Sequence, residues 1–446
     1  MQQTTANGPQ QATAEAPAAA PETPAQQTRW LALVLALVAA SAIFGVMVRM
    51  QPVSGSNDGS RWNTAWALAH GRGYIIDDAP YYGIDKVRRD GHYYSSKPPL
   101  MPTLLAAPVW LLERLGIGFP ERSHIVVRLV LLLVNVVPLA LFVVLYGRWL
   151  ERAAPGFATA LICLSTAAFG TYLTAFSTVL NNHTQGAISA FIALYCLMRI
   201  HYDGRRQWYY FALCGLFTAW TVASEMVALV FALLVLGWLL RTHPRPTLKY
   251  FVPVAAVLGA AYLYTIWVST GSLIPYYVRF DSDYYHYPGS YWNNPRGIDA
   301  AQEPKWFYAF NLLLGHHGIF SLTPIFVLAF YGMWKDRRLR GIHAMGLGLT
   351  ALMFVFYTLK TNNYGGVAQG ARWLFWLIPF WLLGLPAALE RHRESRRFRA
   401  AALLLLLVSV FSVGYAMAGH RDTGRPGPWS APWLQIVMRD AGLISY

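Results

Sequence analysis

Charged residues are scarce in this chain: Asp, Glu, Lys and Arg make up 13% of its 446 residues, whereas hydrophobic residues make up 55%. Soluble domains carry about 25% charged residues, so this deficit, together with long apolar runs, indicates a membrane protein with several spans. Acidic residues are especially few, 21 against 36 basic ones. Because the basic residues lie in short clusters between apolar runs, they indicate membrane topology rather than nucleic-acid binding.

Cysteines and cofactor motifs are also scarce. The three cysteines, Cys163, Cys196 and Cys214, lie inside apolar segments without CxxC spacing, which excludes a disulfide framework and a cysteine-based metal site. The chain has no P-loop, Rossmann glycine pattern or HExxH motif, so nothing supports a nucleotide-driven machine. No cofactor is expected from these patterns, although an Asp-x-Asp at 281–283 could take a divalent cation.

The apolar runs predict an all-α polytopic membrane protein. Residues 1–28 are mostly Ala, Gln, Pro and Thr and are expected to form a disordered cytoplasmic tail. Residues 29–417 form one transmembrane module, and 418–446 form a tail on the outer face. Counting runs long enough to cross a bilayer gives about 11 helices: 30–48, 125–147, 156–176, 185–200, 208–223, 226–240, 250–269, 308–332, 343–358, 373–389 and 400–417.

The basic clusters set the expected orientation. With the N-terminus in the cytoplasm, every short Arg/Lys cluster between the spans falls on the inner side, as the positive-inside rule requires. The segment 100–112 is apolar but too short to span, and it contains Pro102 and Pro108; we expect a helix at the membrane surface. The chemically mixed loops then face outward, and the longest of them is the first, 51–124. Function is expected on this outer face of the plasma (inner) membrane.

The first outer loop begins with Asp58. It is followed by Arg61 and by Trp62 and Trp66 at helical spacing, a pattern typical of a short amphipathic helix lying on the membrane. Asp58 at the start of that helix is either a helix cap or a catalytic carboxylate, and the two roles do not exclude each other. Four further acids of this loop are interpreted as solvated turn residues: Asp77, Asp78, Asp85 and Asp90.

Lys97 stands before two prolines that restrict its backbone. A cation held at the start of an apolar segment suits a lipid phosphate, and the alternative is a lysine that snorkels to the interface. Arg88 and Tyr94 either belong to the same phosphate-binding surface as Lys97 or lie on it without a role in binding.

Two stretches resemble a known family. Asp58, a short helix, a polar stretch and then Lys97-Pro98-Pro99-Leu100 resemble the first periplasmic loop of the GT-C glycosyltransferases, most closely the bacterial lipid A aminoarabinose transferase and protein O-mannosyltransferase group. The stretch from Tyr364 to Arg372, YGGVAQGAR, is similar to a later loop of bacterial relatives. This chain differs in having Gly59 where many relatives have a second acid, and Ser96 where many have an acid before Lys-Pro-Pro.

The resemblance implies an inverting enzyme that moves a sugar from a polyprenyl-phosphate donor to a lipid, glycan or protein acceptor on the outer face. Such a reaction needs a carboxylate to accept the acceptor's proton, and Asp58 is the candidate. It also needs cations to stabilise the departing phosphate, and Lys97 and Arg372 are the candidates. No metal ligand is assigned.

Other outward residues are candidate substrate contacts, each with a structural alternative. Glu225 interrupts an apolar segment, where an acid is costly, and it either faces a cavity or forms a structural ion pair. Asp281 and Asp283 either bind substrate or form a solvated turn. His316 either faces the lumen or lies in water at the interface. Asn182-His183-Thr184 matches a glycosylation acceptor pattern, which is interpreted as coincidence. Arg61, Arg88, Tyr94 and Tyr364 complete the candidate contacts.

Two functions of other classes remain open. A transporter or flippase of a lipid-linked saccharide would place charged residues deep in several spans and break its helices near the midplane. A structural membrane subunit would not need acids and bases gathered in outward loops. The polar chemistry of this chain is concentrated on one face, which favours the glycosyltransferase.

Overall fold

The computed structural model describes residues 23–153, 155–280, 282–418 and 427–446, and these residues are mainly helical. The first half of the chain forms ten α-helices and one hairpin: α1 Pro24–Arg49, α2 Ser56–Ala69, β1 Lys86–Arg89, β2 His92–Ser95, α3 Leu100–Arg114, α4 Ser123–Leu131, α5 Val137–Ala153, α6 Phe157–Phe169, α7 Tyr172–Phe176, α8 Asn182–His201, α9 Trp208–Ser224 and α10 Leu229–Thr242.

Two π-helical turns adjoin the α-helices, and further helices follow α10. A π-helical turn, Leu132–Val136, joins α4 to α5, and a second one, Thr247–Phe251, precedes α12. The helices are α11 Pro244–Pro246, α12 Val252–Thr270, α13 Lys305–Leu313, α14 Ile319–Leu322, α15 Phe326–Lys335, α16 Arg340–Lys360, α17 Ile378–Arg391, α18 Arg396–Ala418 and α19 Trp433–Asp440.

The expected all-α polytopic membrane fold is confirmed. Among the described residues, seven helical runs are long and apolar enough to cross a membrane: Pro24–Arg49, Ser123–Ala153, Phe157–Phe176, Pro244–Thr270, Arg340–Lys360, Arg372–Arg391 and Arg396–Ala418. Three more expected spans coincide with α8, α9 and α10. The helix α8 is almost wholly enclosed by protein, so its surface does not need to be as apolar as a lipid-facing one.

Two sequence expectations about the spans need correction. The expected span 308–332 is not continuous: it divides into α13, α14 and α15. Pro324, which cannot donate a backbone hydrogen bond to a preceding turn, lies in the break between α14 and α15. The expected tail 1–28 is too long, because α1 already begins at Pro24 behind a capping box formed by Thr23 and Gln26. Residues 1–22 of that tail lie outside the described residues.

Small residues let the helices pack closely. Ala32, Ala36 and Ala39 form a buried stripe on α1, and Ala32 meets Gly147 of α5 so closely that a Cβ at Gly147 would collide with it. The helices α15 and α17 cross in the same way at Gly332 and Gly384. Such contacts are typical of helix association in membranes, where close backbone approach replaces the hydrophobic driving force.

Candidate active site

The helix α2 carries the first two site residues, and it is not the surface helix that the sequence suggested. All its residues from Asn57 to Ala67 are buried, because α3, the hairpin and α8 enclose it. Asp58 is fully buried at the third position of the helix. Its carboxylate accepts hydrogen bonds from the backbone N–H of Gly55 at 2.9 Å and of Ser54 at 3.2 Å, so Asp58 caps the helix from inside its first turn.

Burial also changes the acid strength of Asp58. Desolvation raises its pKa to about 7, although the two backbone hydrogen bonds and the positive charge of Arg61 act in the opposite direction. A carboxyl group with a pKa near 7 is half ionised at neutral pH and is matched to accepting a proton there. The capping role and a basic role are therefore compatible in one side chain.

Arg61 lies one turn after Asp58 and links α2 to α8. Its guanidinium donates to the backbone carbonyl of Asn57 at 2.7 Å, to the Asn57 side chain and to the side-chain oxygen of Asn182 at the start of α8. Burial lowers the pKa of Arg61 to about 10, so the side chain remains charged at neutral pH. Its hydrogen bonds hold this charge in place without an acidic partner in direct contact.

The β-hairpin positions Lys97. Asp90 and Gly91 form its two-residue turn, both with positive φ, which is the backbone that tight hairpins require. The ladder pairs Lys86 with Ser95, so Asp85 and Lys97 emerge side by side from the open end. The Lys97 ammonium donates to the Asp85 carboxylate at 2.7 Å, and the two side chains are only 17% and 16% exposed. Asp85 is therefore not the solvated turn residue that the sequence suggested.

Arg372 lies at the end of the glycine-rich loop before α17. Its Nη1 atom lies 2.9 Å from Nε2 of His183, and its Nη2 atom donates to the carbonyl of Gly365. Gly365 has φ +94°, and a Cβ there would stand 2.5 Å from Nε of Arg372. Glycine is thus required at 365 for both backbone conformation and space. On the other side, the Trp429 ring lies 5.2 Å from the guanidinium carbon.

Glu225 belongs to the same network and does not face lipid. It lies between α9 and α10, and its carboxylate contacts Nδ1 of His183 at 2.5 Å and the side-chain amide of Asn182 at 2.9 Å. Because Arg372 must donate to Nε2 of His183, the remaining imidazole proton is on Nδ1 and is donated to Glu225. The result is a continuous buried chain from Arg61 through Asn182, Glu225 and His183 to Arg372.

The three basic side chains converge. Burial is the main cause that lowers the pKa of Lys97; Asp85 opposes it, and the charges of Arg61 and Arg372 lower it further. The charge of Arg372 also lowers the pKa of Arg61. The charges of these three residues are thus close enough to repel one another, and Asp58, Asp85 and Glu225 offset them. A site with three fixed cations in a buried setting is suited to a phosphate group.

The other candidates from the first and third outer loops are Arg88, Tyr94, Asp281 and Asp283. Arg88 is exposed on β1, Asp283 is exposed in a turn, and Asp281 is outside the described residues. Tyr94 lines a narrow cleft that reaches Lys97, and it lies under the guanidinium of Arg89.

His316 and Tyr364 form a second, separate cluster. His316 is fully buried rather than in water: it lies in the break between α13 and α14, and its Nε2 atom is 3.0 Å from the Tyr446 hydroxyl. Tyr364 is also buried and donates its hydroxyl proton to Glu303. These residues support the loop that carries Arg372 and do not contact Lys97 or Asp58 in this structure.

Sequence reasoning missed Asp85, Asn182, His183 and Trp429. The alternation around Asp90-Gly91 is a hairpin signal and would have placed Asp85 opposite Ser96. No comparable signal exists for His183, whose partners are distant in the chain. Trp429 comes from the C-terminal tail, which folds back so that Gln369 donates to Ser430 at 3.0 Å.

The described residues form no metal cluster at the site, and the cavity of 1120 Å³ lies at another place. Among the residues that the structure describes, no three His, Cys, Asp or Glu side chains lie close enough together to hold a metal ion. A cavity of 1120 Å³ is lined by the C-terminal end of α8, whereas Asn182 and His183 begin that helix. The 20 residues of α8 separate the two places by about 30 Å.

Comparison with known proteins identifies the fold. The crystal structure of ArnT from Cupriavidus metallidurans in the apo state matches this chain with a TM-score of 0.50 at 15% sequence identity, covering 83% of this chain and 61% of that one. The chain therefore spans less than two thirds of the length of that protein. No protein-family model and no curated protein sequence matches the chain. The expected GT-C-like fold is confirmed by the structural match.

Proposed function

We propose that this protein is a GT-C-type glycosyltransferase that moves a sugar from a polyprenyl-phosphate donor to a lipid, glycan or protein acceptor at the outer face of the inner membrane. One observation carries the proposal. Three cations, the buried Arg61 and Arg372 and the largely buried Lys97, converge at one end of an ArnT-like helical bundle, and the charge of Arg61 interacts with the buried carboxyl of Asp58.

The proposed reaction is an inverting displacement. The acceptor hydroxyl attacks the anomeric carbon while Asp58 takes its proton, and the bond between that carbon and the phosphate oxygen breaks. The polyprenyl phosphate leaves with the bonding electron pair, and its added negative charge is stabilised by Lys97 and Arg372. Cations that are already desolvated and held by hydrogen bonds stabilise such charge without reorganising during the reaction. Arg61 adds a third charge from the helix that carries Asp58.

Sugar transfer by the purified full-length protein tests the proposal. The assay uses a panel of radiolabelled polyprenyl-phosphate sugars with a membrane extract as acceptor. We expect Asp58→Asn to lower transfer by about 10²–10⁴-fold and Lys97→Ala by about 10²–10³-fold. Matched controls are Asp78→Asn, whose side chain is 73% exposed, and Lys360→Ala, which is exposed on α16; both should retain wild-type transfer.

The outcomes separate the alternatives. Full activity of a folded Asp58→Asn variant would remove Asp58 from the mechanism. A wild-type protein that binds the lipid-linked donor and transfers nothing would instead indicate a transporter or flippase.

A further inference from the structure

A large cavity lies where four helices end. Its 1120 Å³ volume is lined by the C-terminal ends of α5, α8, α15 and α17 and by the loop after α15. These ends carry four of the basic clusters that the sequence assigns to the cytoplasmic side. The sequence predicts that these clusters lie on one face of the membrane, and in the fold they surround one cavity. Its volume is slightly above the usual range of small-molecule pockets, about 300–1,000 Å³.

The cavity has an excess of positive charge. Seven basic side chains line it against three acidic ones. Two of the bases, Arg152 and Arg199, share Asp203 at 2.5 Å each, and Arg393 lies near Glu390. The other four form no ion pair with any residue in the described part of the chain: Lys335, Arg337, Arg338 and Arg391.

Helix dipoles account for only part of this excess. Lys335 and Arg391 stand in the last turns of α15 and α17, where a cation offsets the partial negative charge of the helix end. Arg337 and Arg338 follow α15 in a loop and have no such role. They are exposed, so their charge is available to an anion at the cavity mouth.

The rest of the lining is apolar and aromatic. Leu383, Pro386 and Ala387 of α17 contribute an apolar wall. Trp334 is 71% exposed at the rim, and the Lys335 ammonium lies 3.6 Å from its ring centroid. Aromatic rings beside basic residues at the end of membrane helices are typical of the headgroup level of a bilayer. A soluble anion would use the cations, but it would leave the apolar wall and the aromatic rim without a partner.

We propose that this cavity binds the headgroup and adjoining glycerol of an anionic phospholipid from the surrounding bilayer. The phosphate faces Arg337 and Arg338, and the start of the acyl chains lies against the α17 wall and Trp334. Basic pockets between helices at the cytoplasmic side are suited to such headgroups. The cavity lies at the opposite end of α8 from Asn182 and His183, about 30 Å away, so the proposal does not depend on the sugar-transfer reaction.

Lipid retention tests the proposal directly. The full-length protein is placed in nanodiscs containing equal amounts of phosphatidylcholine and phosphatidylglycerol, released into mild detergent and analysed by native mass spectrometry. We expect the wild type to retain phosphatidylglycerol in preference to phosphatidylcholine. The double variant Arg337→Ala/Arg338→Ala should weaken that retention by about thirtyfold. The matched control Arg396→Ala/Arg397→Ala removes the same charge from the start of α18, outside the cavity lining, and should retain the lipid.

Three results would overturn the proposal. The first is equal retention of the two lipids by the wild type. The second is an equal loss in the control variant, which would assign the effect to the basic face as a whole. The third is displacement of the lipid by millimolar inorganic phosphate or glycerol 3-phosphate, which would make the cavity a site for soluble phosphates. Both variants change exposed side chains, and their melting temperatures verify that they are folded.

Discussion

The Asp85 carboxylate accepts a hydrogen bond from the Lys97 ammonium at 2.7 Å, across the open end of the hairpin. The residue before Lys97 is Ser96, and the fold brings the acid to Lys97 from 12 positions upstream. Asp85 therefore favours the charged form of Lys97 against the repulsion of Arg61 and Arg372. This pairing holds the cation beside Pro98 and Pro99, whose rigid backbone fixes its direction.

Asp85→Asn should lower sugar transfer, because it keeps the shape and a hydrogen-bond acceptor but removes the negative charge. Burial already lowers the pKa of Lys97, and Asp85 is the main influence that raises it. A carboxylate partner shifts a pKa by about 1–3 units, so the loss in kcat/KM should grow as the pH rises into the alkaline range. A pH profile of kcat/KM checks this, with Asp78→Asn as the control. An unchanged alkaline limb would contradict the role of Asp85.

The pH dependence of transfer should reflect Asp58. Its pKa is raised to about 7 by burial, so kcat/KM should fall about tenfold per pH unit below pH 7 and level off above it. A rate that stays constant between pH 5 and pH 7 would exclude Asp58 as the base.

Asp58 should also make folding stability depend on pH. An aspartate titrates at 3.8 in the unfolded chain and at about 7 here, so the folded protein binds the proton more tightly between these values. Its contribution to stability is therefore complete below pH 4 and is lost as the pH rises through 7. The melting temperature of the wild type should fall relative to that of Asp58→Asn between pH 5 and pH 8. Parallel melting curves for the two proteins would contradict this.

His183 should act by positioning Arg372. His183→Ala leaves Nη1 of Arg372 and one oxygen of Glu225 without their imidazole partner. Loss of position near reacting groups costs on the order of 10²-fold, and we expect this mainly as a higher KM for the donor. His183→Gln keeps an acceptor toward Arg372 and should recover part of the activity. If alanine and glutamine have equal effects on KM, the hydrogen bond to Arg372 does not matter.

Gly365→Ala should displace Arg372. The new Cβ would stand 2.5 Å from its Nε atom, and the residue has φ +94°, so the substitution should cost about 1–3 kcal/mol in backbone strain and reduce transfer. Gly348→Ala is the matched control, because no atom lies within 4 Å of its added Cβ and alanine favours the α16 helix. Transfer rates and melting temperatures of both variants check the prediction. A Gly365→Ala variant with normal transfer would show that Arg372 tolerates a shift.

The amino-acid sequence by itself determined the class of this protein. Long apolar runs need a bilayer, so the membrane class followed from composition alone, without knowledge of any tertiary contact. The Lys-Pro-Pro turn, the acid after the first span and the glycine-rich loop ending in Arg372 are local patterns, so they predicted three residues of the candidate site and the expected fold. A hairpin signal at Asp90-Gly91 was also present in the sequence, although its consequence for Asp85 appears only once the strands are paired.

Only the tertiary structure decided which side chains meet. His183, Glu225 and Arg372 lie in three separate segments, and their contacts depend on the packing of α8 against α9 and the loop before α17. Hydropathy could not distinguish a helix on the membrane from α2, which is enclosed on all sides. Hydropathy also could not show that the basic clusters meet around one cavity. Charge and periodicity are properties of one segment, whereas burial and hydrogen bonding depend on neighbours that are distant in the chain.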